Sequence, residues 1–457
     1  MGPRTIIPLC FISFFLACNY YILRPLKDTL LITAEGAGAE IIPFVKVWLL
    51  LPVSILLAAG FSWITARFSL RTSISTILGF FLCSYFCFTF LMFPFRESIH
   101  LHSFADYLEH ILPVGWKGFS AVIRYWSYAF FYVMAECWGA MVYSVLFWGF
   151  ANEVTKMADA ERAYPYLTLA GTLAAFVAGP LGVYLSMEPS FPFGNTRWEQ
   201  SMYALTLLVL VCGLAALVIF MSLPGELFTA SKPSNKPKLS LRESITYLTQ
   251  SRHLMMIALI CFSFNMMINT TEVFWKDQLL KRYPDPNDLN SYMNGITVIT
   301  GLLSSLLTLL VCRPSLKRFG WTFTALITPI VALLTGSLFF GAILYTTFLP
   351  LVVLLGSLHI CLSFSSKYTL LDPTKELAFI PLESELRLTG KAVIDGVGSR
   401  LGKASSSFLF QCLLMIFPSI SACAPFLSIF LIFIAFVCIM NIRVLGKTLE
   451  PTNLAVD

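Results

Sequence analysis

Apolar residues run in blocks of bilayer length almost from one end of the sequence to the other, each closed by charges or by Pro/Gly clusters. A helix of about 20 apolar residues crosses a hydrocarbon core. In the first part of the chain the blocks fall near residues 5–32, 40–65, 73–95, 118–152, 163–187 and 200–222. In the second part they fall near 254–276, 291–312, 321–345, 348–366, 391–418 and 424–442. The fourth is long enough for a pair, but is taken as one tilted helix because six plus six then results. The pattern predicts an all-α polytopic membrane protein of about twelve transmembrane helices in two six-helix halves, 1–222 and 253–457, joined by a linker at 223–252.

The linker contains "PGELFTASKPSNKPKLSLRES", residues 224–244, the one sustained polar stretch. Its Ser, Pro and Lys content marks a connection, and its positive charge places it on the cytoplasmic face. Arg4, Arg67, Arg71, Arg313, Lys317, Arg318, Arg443 and Lys447 then share that face, while Glu35 and Glu40 lie opposite. Both termini are therefore expected in the cytoplasm. The first block runs into Arg24-Pro25 without a small-residue cleavage site, so it is read as a retained span rather than a leader.

The halves also match one another. "LKDTLL" (26–31) follows span 1 and "WKDQLL" (275–280) follows span 7. Phe150 precedes Arg162, and Phe379 precedes Lys391, by the same interval between corresponding spans. Parallel repeats of this kind describe the major-facilitator-like transporter plan.

Composition sharpens the picture. Hydrophobic residues make up 57% and charged residues 12% of the chain, against about a quarter charged in soluble domains. The mean hydropathy is +0.77. A net charge of +6 raises nucleic acid as a partner, but no basic block with interleaved aromatics exists to hold one. Positive loops report topology instead. The twelve cysteines lie mostly inside apolar blocks, form no Cys-x-x-Cys pair, and read as small apolar filler.

The informative residues are charges inside the blocks. Each costs on the order of 2.5–3.5 kcal/mol at the bilayer centre, unless it can snorkel from a span end. Arg67, Arg318, Lys447 and Lys117 can snorkel. Glu136, Glu272, Lys403, Lys46 and Arg124 are set deeper, and Arg24, Lys27 and Asp28 interrupt the first block. Buried ions persist when paired or when they line a wet cavity. Five cations (Arg24, Lys27, Lys46, Arg124 and Lys403) against three acids (Asp28, Glu136 and Glu272) suit a multiply charged anion, phosphate above all. Enzyme chemistry finds no support: "GVGSRLGKASS" has Val397 where a P-loop needs Gly and Ala404 where it needs Ser or Thr. Gly398 and Gly402 read as a helix-packing face. No metal or organic cofactor is expected.

Several long stretches resemble the ATP/ADP translocase (nucleotide transporter) family of obligate intracellular bacteria and plastids. They are "NYYILRPLKDTLLITAEGAGAEIIPFVKVW", "FYVMAECWGAMVYSVLFWGFANEVTK", "TEVFWKDQL", "SKYTLLDPTKELAFIPLE" and "GKAVIDGVGSRLGK". The resemblance covers nearly the whole chain and implies uptake of host nucleotides. It maps the family's transport charges onto Lys46, Glu136, Glu272 and Lys403, with the lysines neutralising phosphates. For the glutamates it leaves charge balance, base or ribose contact, and proton carriage open.

Two departures separate this chain from the exchangers of that family. Pro25 and Leu26 stand where those read Asp and Thr before Lys27, and Thr172, in "TLAGT", stands where they carry Asn. Thr172 and Asn269 are the base-selectivity candidates, and Asp28 and Arg124 are secondary site candidates. The expectation is an alternating-access importer of ATP, GTP, CTP and UTP in a bacterial inner membrane, with the proton as coupling ion. Lys46 and Lys403 would hold phosphates from opposite halves, with Arg24 and Lys27 guiding entry. An ATP/ADP antiporter is the alternative; a passive anion channel or a receptor with structural ion pairs are the rivals outside carrier transport. No obligate protein partner beyond the lipid bilayer is inferred.

Overall fold

The computed structural model describes residues 3–155, 157–188, 192–225, 251–382, 390, 394 and 399–449. Among these, eleven helices are long and apolar enough to cross a membrane. They are α1 (Ile6–Ile32), α2 (Ile41–Arg67), α3 (Leu70–Met92), α4 (Trp126–Val154), α5 (Ala163–Met187), α6 (Arg197–Ser222), α7 (Arg252–Arg282), α8 (Pro286–Cys312), α9 (Pro314–Tyr345), α10 (Leu349–Ala378) and α12 (Ser421–Leu449). The span expected at 391–418 is described only as α11, Ser399–Leu414. Most of the linker, 226–250, and Lys391 of the repeat lie outside the described residues.

Proline shapes the helices locally. A proline inside a helix has no N–H to give, and its ring pushes against the carbonyl four residues back. The ladder widens into a π turn at Val45–Leu50, Phe88–Met92, Thr308–Cys312 and Lys367–Leu371. Each of these turns ends two residues before a proline: Pro52, Pro94, Pro314 and Pro373. A further wide turn, Trp138–Phe147, begins two residues after Glu136. Lys46 rides on the first, so the sequence opens the helix where a cation is presented.

α1 packs against α4, α5 and α6, while α7 packs against α10, α11 and α12. Side chains such as Leu56, Val218, Leu309 and Phe433 are exposed on the outside of the bundle, as a lipid-facing surface requires. Inside, polar side chains find partners on neighbouring helices. Asn19 Nδ2 donates to Val209 O at 2.9 Å, Ser13 Oγ to Leu167 O at 3.0 Å and Trp138 Nε1 to Leu16 O at 3.1 Å.

The first six helices meet the last six through α5–α8, α1–α8 and α2–α11. The α5–α8 seam is polar and close. Asn290 Nδ2 donates to Ser186 Oγ at 2.8 Å, and Ser201 Oγ of α6 donates to Asn287 Oδ1 at 2.8 Å. Gly182 lets the Asn294 side chain lie where a methyl group would otherwise stand. Gln411 of α11 donates to Pro43 O at 3.0 Å and accepts from Trp48 Nε1 at 3.1 Å.

One expectation is corrected. The fourth span begins at Trp126, not near 118, because the helix breaks at Tyr125 (φ −104°, ψ 43°). Lys117–Arg124 forms a separate short helix before it, so Arg124 stands outside the span.

Gly182→Leu should wedge α5 from α8 and cost about 1–3 kcal/mol. It would be seen as a lower thermal midpoint of the purified protein. Gly60→Leu, where a side chain meets nothing within 4 Å, should leave the midpoint nearly unchanged.

Candidate functional site

Helical spacing gathers the charges. On α7, Asn269, Glu272 and Lys276 stand at i, i+3 and i+7, one face of the helix. On α1, Lys27 and Asp28 are neighbours and point to different partners. Lys27 Nζ lies 3.1 Å from Asp28 Oδ1 and 3.2 Å from Glu136 Oε2 of α4. Glu136 Oε1 takes Lys403 Nζ of α11 at 3.2 Å. Asp28 Oδ2 takes Lys276 Nζ at 2.9 Å, and Lys276 also reaches Glu272 Oε1 at 3.1 Å. Glu272 Oε2 lies 4.0 Å from Lys46 Nζ, which donates to Asn269 Oδ1 at 2.5 Å. The Asn269 amide nitrogen then reaches Ser406 Oγ at 2.7 Å, Ser407 Oγ at 3.0 Å and Lys403 O at 3.2 Å. The chain of contacts closes on itself as a ring.

The ring crosses between the first and last six helices at Glu136–Lys403, Asp28–Lys276 and Lys46–Glu272/Asn269. It is buried deeply on one side, where Lys276 and Asp28 are each 1% exposed, and opens toward Lys403 at 36%. Beside it, Arg24 lies with its guanidinium 4.3 Å above the Phe364 ring. Arg24, Asp28 and Glu272 also line a small adjoining cavity of about 20 Å³, room for about one water. The ring and Arg24 together set five cations against three carboxylates, a formal excess of two positive charges.

Of the sequence candidates, Lys27, Asp28, Lys46, Glu136, Asn269, Glu272 and Lys403 enter the ring, and Arg24 stands next to it. Asn269 stands there as a fastener: its carbonyl oxygen holds Lys46 and its two amide hydrogens are spread over three acceptors, so its edge is committed within the protein. Thr172 stands on α5 with its hydroxyl donating to Thr168 O of its own helix at 3.0 Å. Arg124 is corrected: it holds Asp106 at 2.7 Å and Glu109 at 2.9 Å. Those acids lie on the short helix His102–Ile111. With its charge met there and the break at Tyr125 behind it, Arg124 takes no part in the ring.

Lys276 is the residue that sequence reasoning missed. Lys276 is the last residue of the apolar block near 254–276, whereas α7 continues to Arg282 and buries it. The i, i+4 spacing from Glu272 and the match of "WKDQLL" to "LKDTLL" were the available signals.

The bundle, with its charged ring between two sets of six helices, has the fold of several solved membrane transporters. Solved structures with this fold include a POT family transporter (TM-score 0.62, 12% identity, 99% of this chain and 97% of that one). A D-xylose-proton symporter is similar (TM-score 0.61, 12% identity, 97% and 96%). A family model described as "TLC ATP/ADP transporter" matches residues 3–449, and this chain belongs to that family. It is 36% identical to ADP,ATP carrier protein 2 of Chlamydia pneumoniae over 96% of this chain and 88% of that one. To ADP,ATP carrier protein 1, chloroplastic, of Arabidopsis thaliana it is 35% identical, over 94% and 72%.

Removing one member of a buried pair strands the other and costs about 3–5 kcal/mol. Lys276→Met and Asp28→Asn should each destabilise the protein strongly, and the double variant by clearly less than the sum of the two. A double-mutant cycle in thermal unfolding measures that coupling.

Proposed function

We propose that this chain exchanges ATP for ADP across a bacterial inner membrane, with its termini in the cytoplasm and its first and last six helices rocking about the ring as two units. The observation that carries the reading is the excess of two positive charges at membrane depth. Occluding them without an anion is expensive. A bound nucleoside di- or triphosphate supplies the missing negative charge, so the site reorients loaded and resists reorienting empty. That is exchange rather than net uptake, and the ADP,ATP carrier names of the relatives favour the same side.

Lys46, Lys403 and Lys27 are the phosphate ligands in this reading. Phosphate oxygens replace Glu136 and Glu272 on their lysines, with charge-assisted hydrogen bonds of similar geometry. Asp28 and Lys276 remain paired and hold α1 against α7. Arg24 adds a planar donor at the cavity side. Pro25 lines the cavity rather than removing a ring member, so the departure from the exchanger motif leaves the cations in place.

Labelled ATP should enter proteoliposomes preloaded with ADP and fail to enter empty ones, with or without an inward proton gradient. Accumulation in empty vesicles that grows with the gradient would replace exchange with proton-driven import. Lys46→Ala and Lys403→Ala should each raise the ATP concentration for half-maximal uptake roughly 10- to 100-fold, the worth of one charge-assisted contact. GTP, CTP and UTP offered in the same vesicles give the substrate range.

A further inference from the structure

We propose that the short helix His102–Ile111, between α3 and α4, lies in the bilayer surface and binds phospholipid through Leu101, Phe104, Tyr107, Ile111 and Val114. The partner is the leaflet opposite the termini, at the boundary between headgroups and acyl chains.

The helix has three faces, each repeating at i, i+3 and i+7. His102, Ala105 and Glu109 turn to the protein. The His102 ring meets Tyr125 edge-on with centroids 5.9 Å apart, Ala105 is fully buried, and Glu109 accepts from Arg124 at 2.9 Å. Ser103, Asp106 and His110 form a second face, polar and exposed. Phe104, Tyr107 and Ile111 form the third, extended by Leu101 before the helix and Val114 after it. The bundle leaves these five side chains 47–79% exposed. With protein on one face and polar groups on another, the third requires an apolar cover.

Position and continuity make that cover lipid. The Leu101 amide donates to Arg124 O at 3.3 Å, and Trp126 Nε1 donates to Ile99 O at 2.8 Å. These bonds hold the start of the helix beside the first residues of α4, at the level where the spans leave the hydrocarbon. The stripe continues the lipid-facing surface of the bundle: Phe90 and Leu91 of α3, Phe95 just past it and Trp126 heading α4 are exposed as well. Aromatic residues collect where headgroups meet acyl chains. An amphipathic helix lies there in the plane of the membrane, its apolar face sunk about 5–10 Å. One face of a ten-residue helix is too small for a second copy of the chain, since stable protein interfaces engage roughly 20–30 residues a side.

The grip on lipid acts on the turn that follows. Val114 leads into Gly115, where a methyl group would meet Leu414 O and Met415 Cα at the end of α11. Trp116 packs against Phe44 and Trp48 of α2, with ring centroids 6.0 and 6.4 Å apart. The lipid-bound helix therefore holds the turn that joins α2 of the first six helices to α11 of the last six.

Hydroxyl-radical footprinting of the unmodified full-length protein in phosphatidylcholine/phosphatidylglycerol nanodiscs reads this surface directly. Phe104 and Tyr107 should be oxidised several-fold less than His110, each corrected for its intrinsic reactivity, although the bundle exposes all three. Equal oxidation of the three would mean that water covers the stripe, and overturns the proposal. The photo-crosslinker p-benzoylphenylalanine, in place of Phe104 or of Ile111, then identifies the cover in vesicles of the same lipids. Irradiation should add the mass of one phospholipid at both positions, and several-fold less often with the crosslinker in place of Ser103. A crosslinked dimer of the chain from Phe104 and Ile111 would assign the face to a second copy and overturns the lipid surface. No lipid adduct at those two positions, or adducts as frequent at Ser103, likewise overturns it.

Discussion

The structure depends on the mutual neutralisation of charges that no bilayer would accept singly. Four lysines at this depth are tolerable because each has a carboxylate or an amide oxygen within 4.0 Å. The lysines and their partners are drawn from α1, α2, α4, α7 and α11, so the requirement for pairing also dictates how the helices are rotated about their axes. A rotation of α7 by one residue would carry Asn269, Glu272 and Lys276 away from the centre together. Buried ion pairs contribute little net stability beside an apolar alternative. What they give here is a centre that is dry enough to hold together and still has positive charge to spare.

Much of the fold was legible because bilayer thickness imposes one length scale on every span. The apolar blocks locate the helices, and the prolines locate four of the widened turns. Errors came at block ends, where the sequence does not say whether a helix stops or goes on. Lys276 closes its apolar block, yet α7 continues past it. Arg124 was treated as internal, though a break at Tyr125 sets it outside. Burial cost alone isolated Lys46, Glu136, Glu272 and Lys403, since a charge flanked by apolar residues in both directions needs a partner. Which charge pairs with which was not legible, because every crossing contact joins residues more than two hundred positions apart.

The two departures from the exchanger motif leave the charged ring intact. Thr172 points its hydroxyl into its own helix, and Pro25 sits beside the cavity without displacing a cation. Asn269, singled out as an amide suited to a base edge, spends that amide on Lys46 and two serines. In each case the residue type was read correctly and its commitments were invisible: a donor already satisfied by the protein cannot be offered to a solute.

The seam between α5 and α8 has a bearing on speed. Its polar contacts are Asn290 with Ser186 and Asn294 against Gly182, flanked by Asn287 with Ser201 of α6, and small residues fill the rest, Gly179 against Val298 and Gly301 against Ala175. Separating apolar faces exposes surface that water resists, whereas separating amides and hydroxyls exchanges one set of hydrogen bonds for another at about 1 kcal/mol each. Contacts of this kind part against a lower cost than leucines packed face to face. In the proposed rocking of the two sets of helices this contact breaks once per cycle, and part of it is made from groups that water can replace.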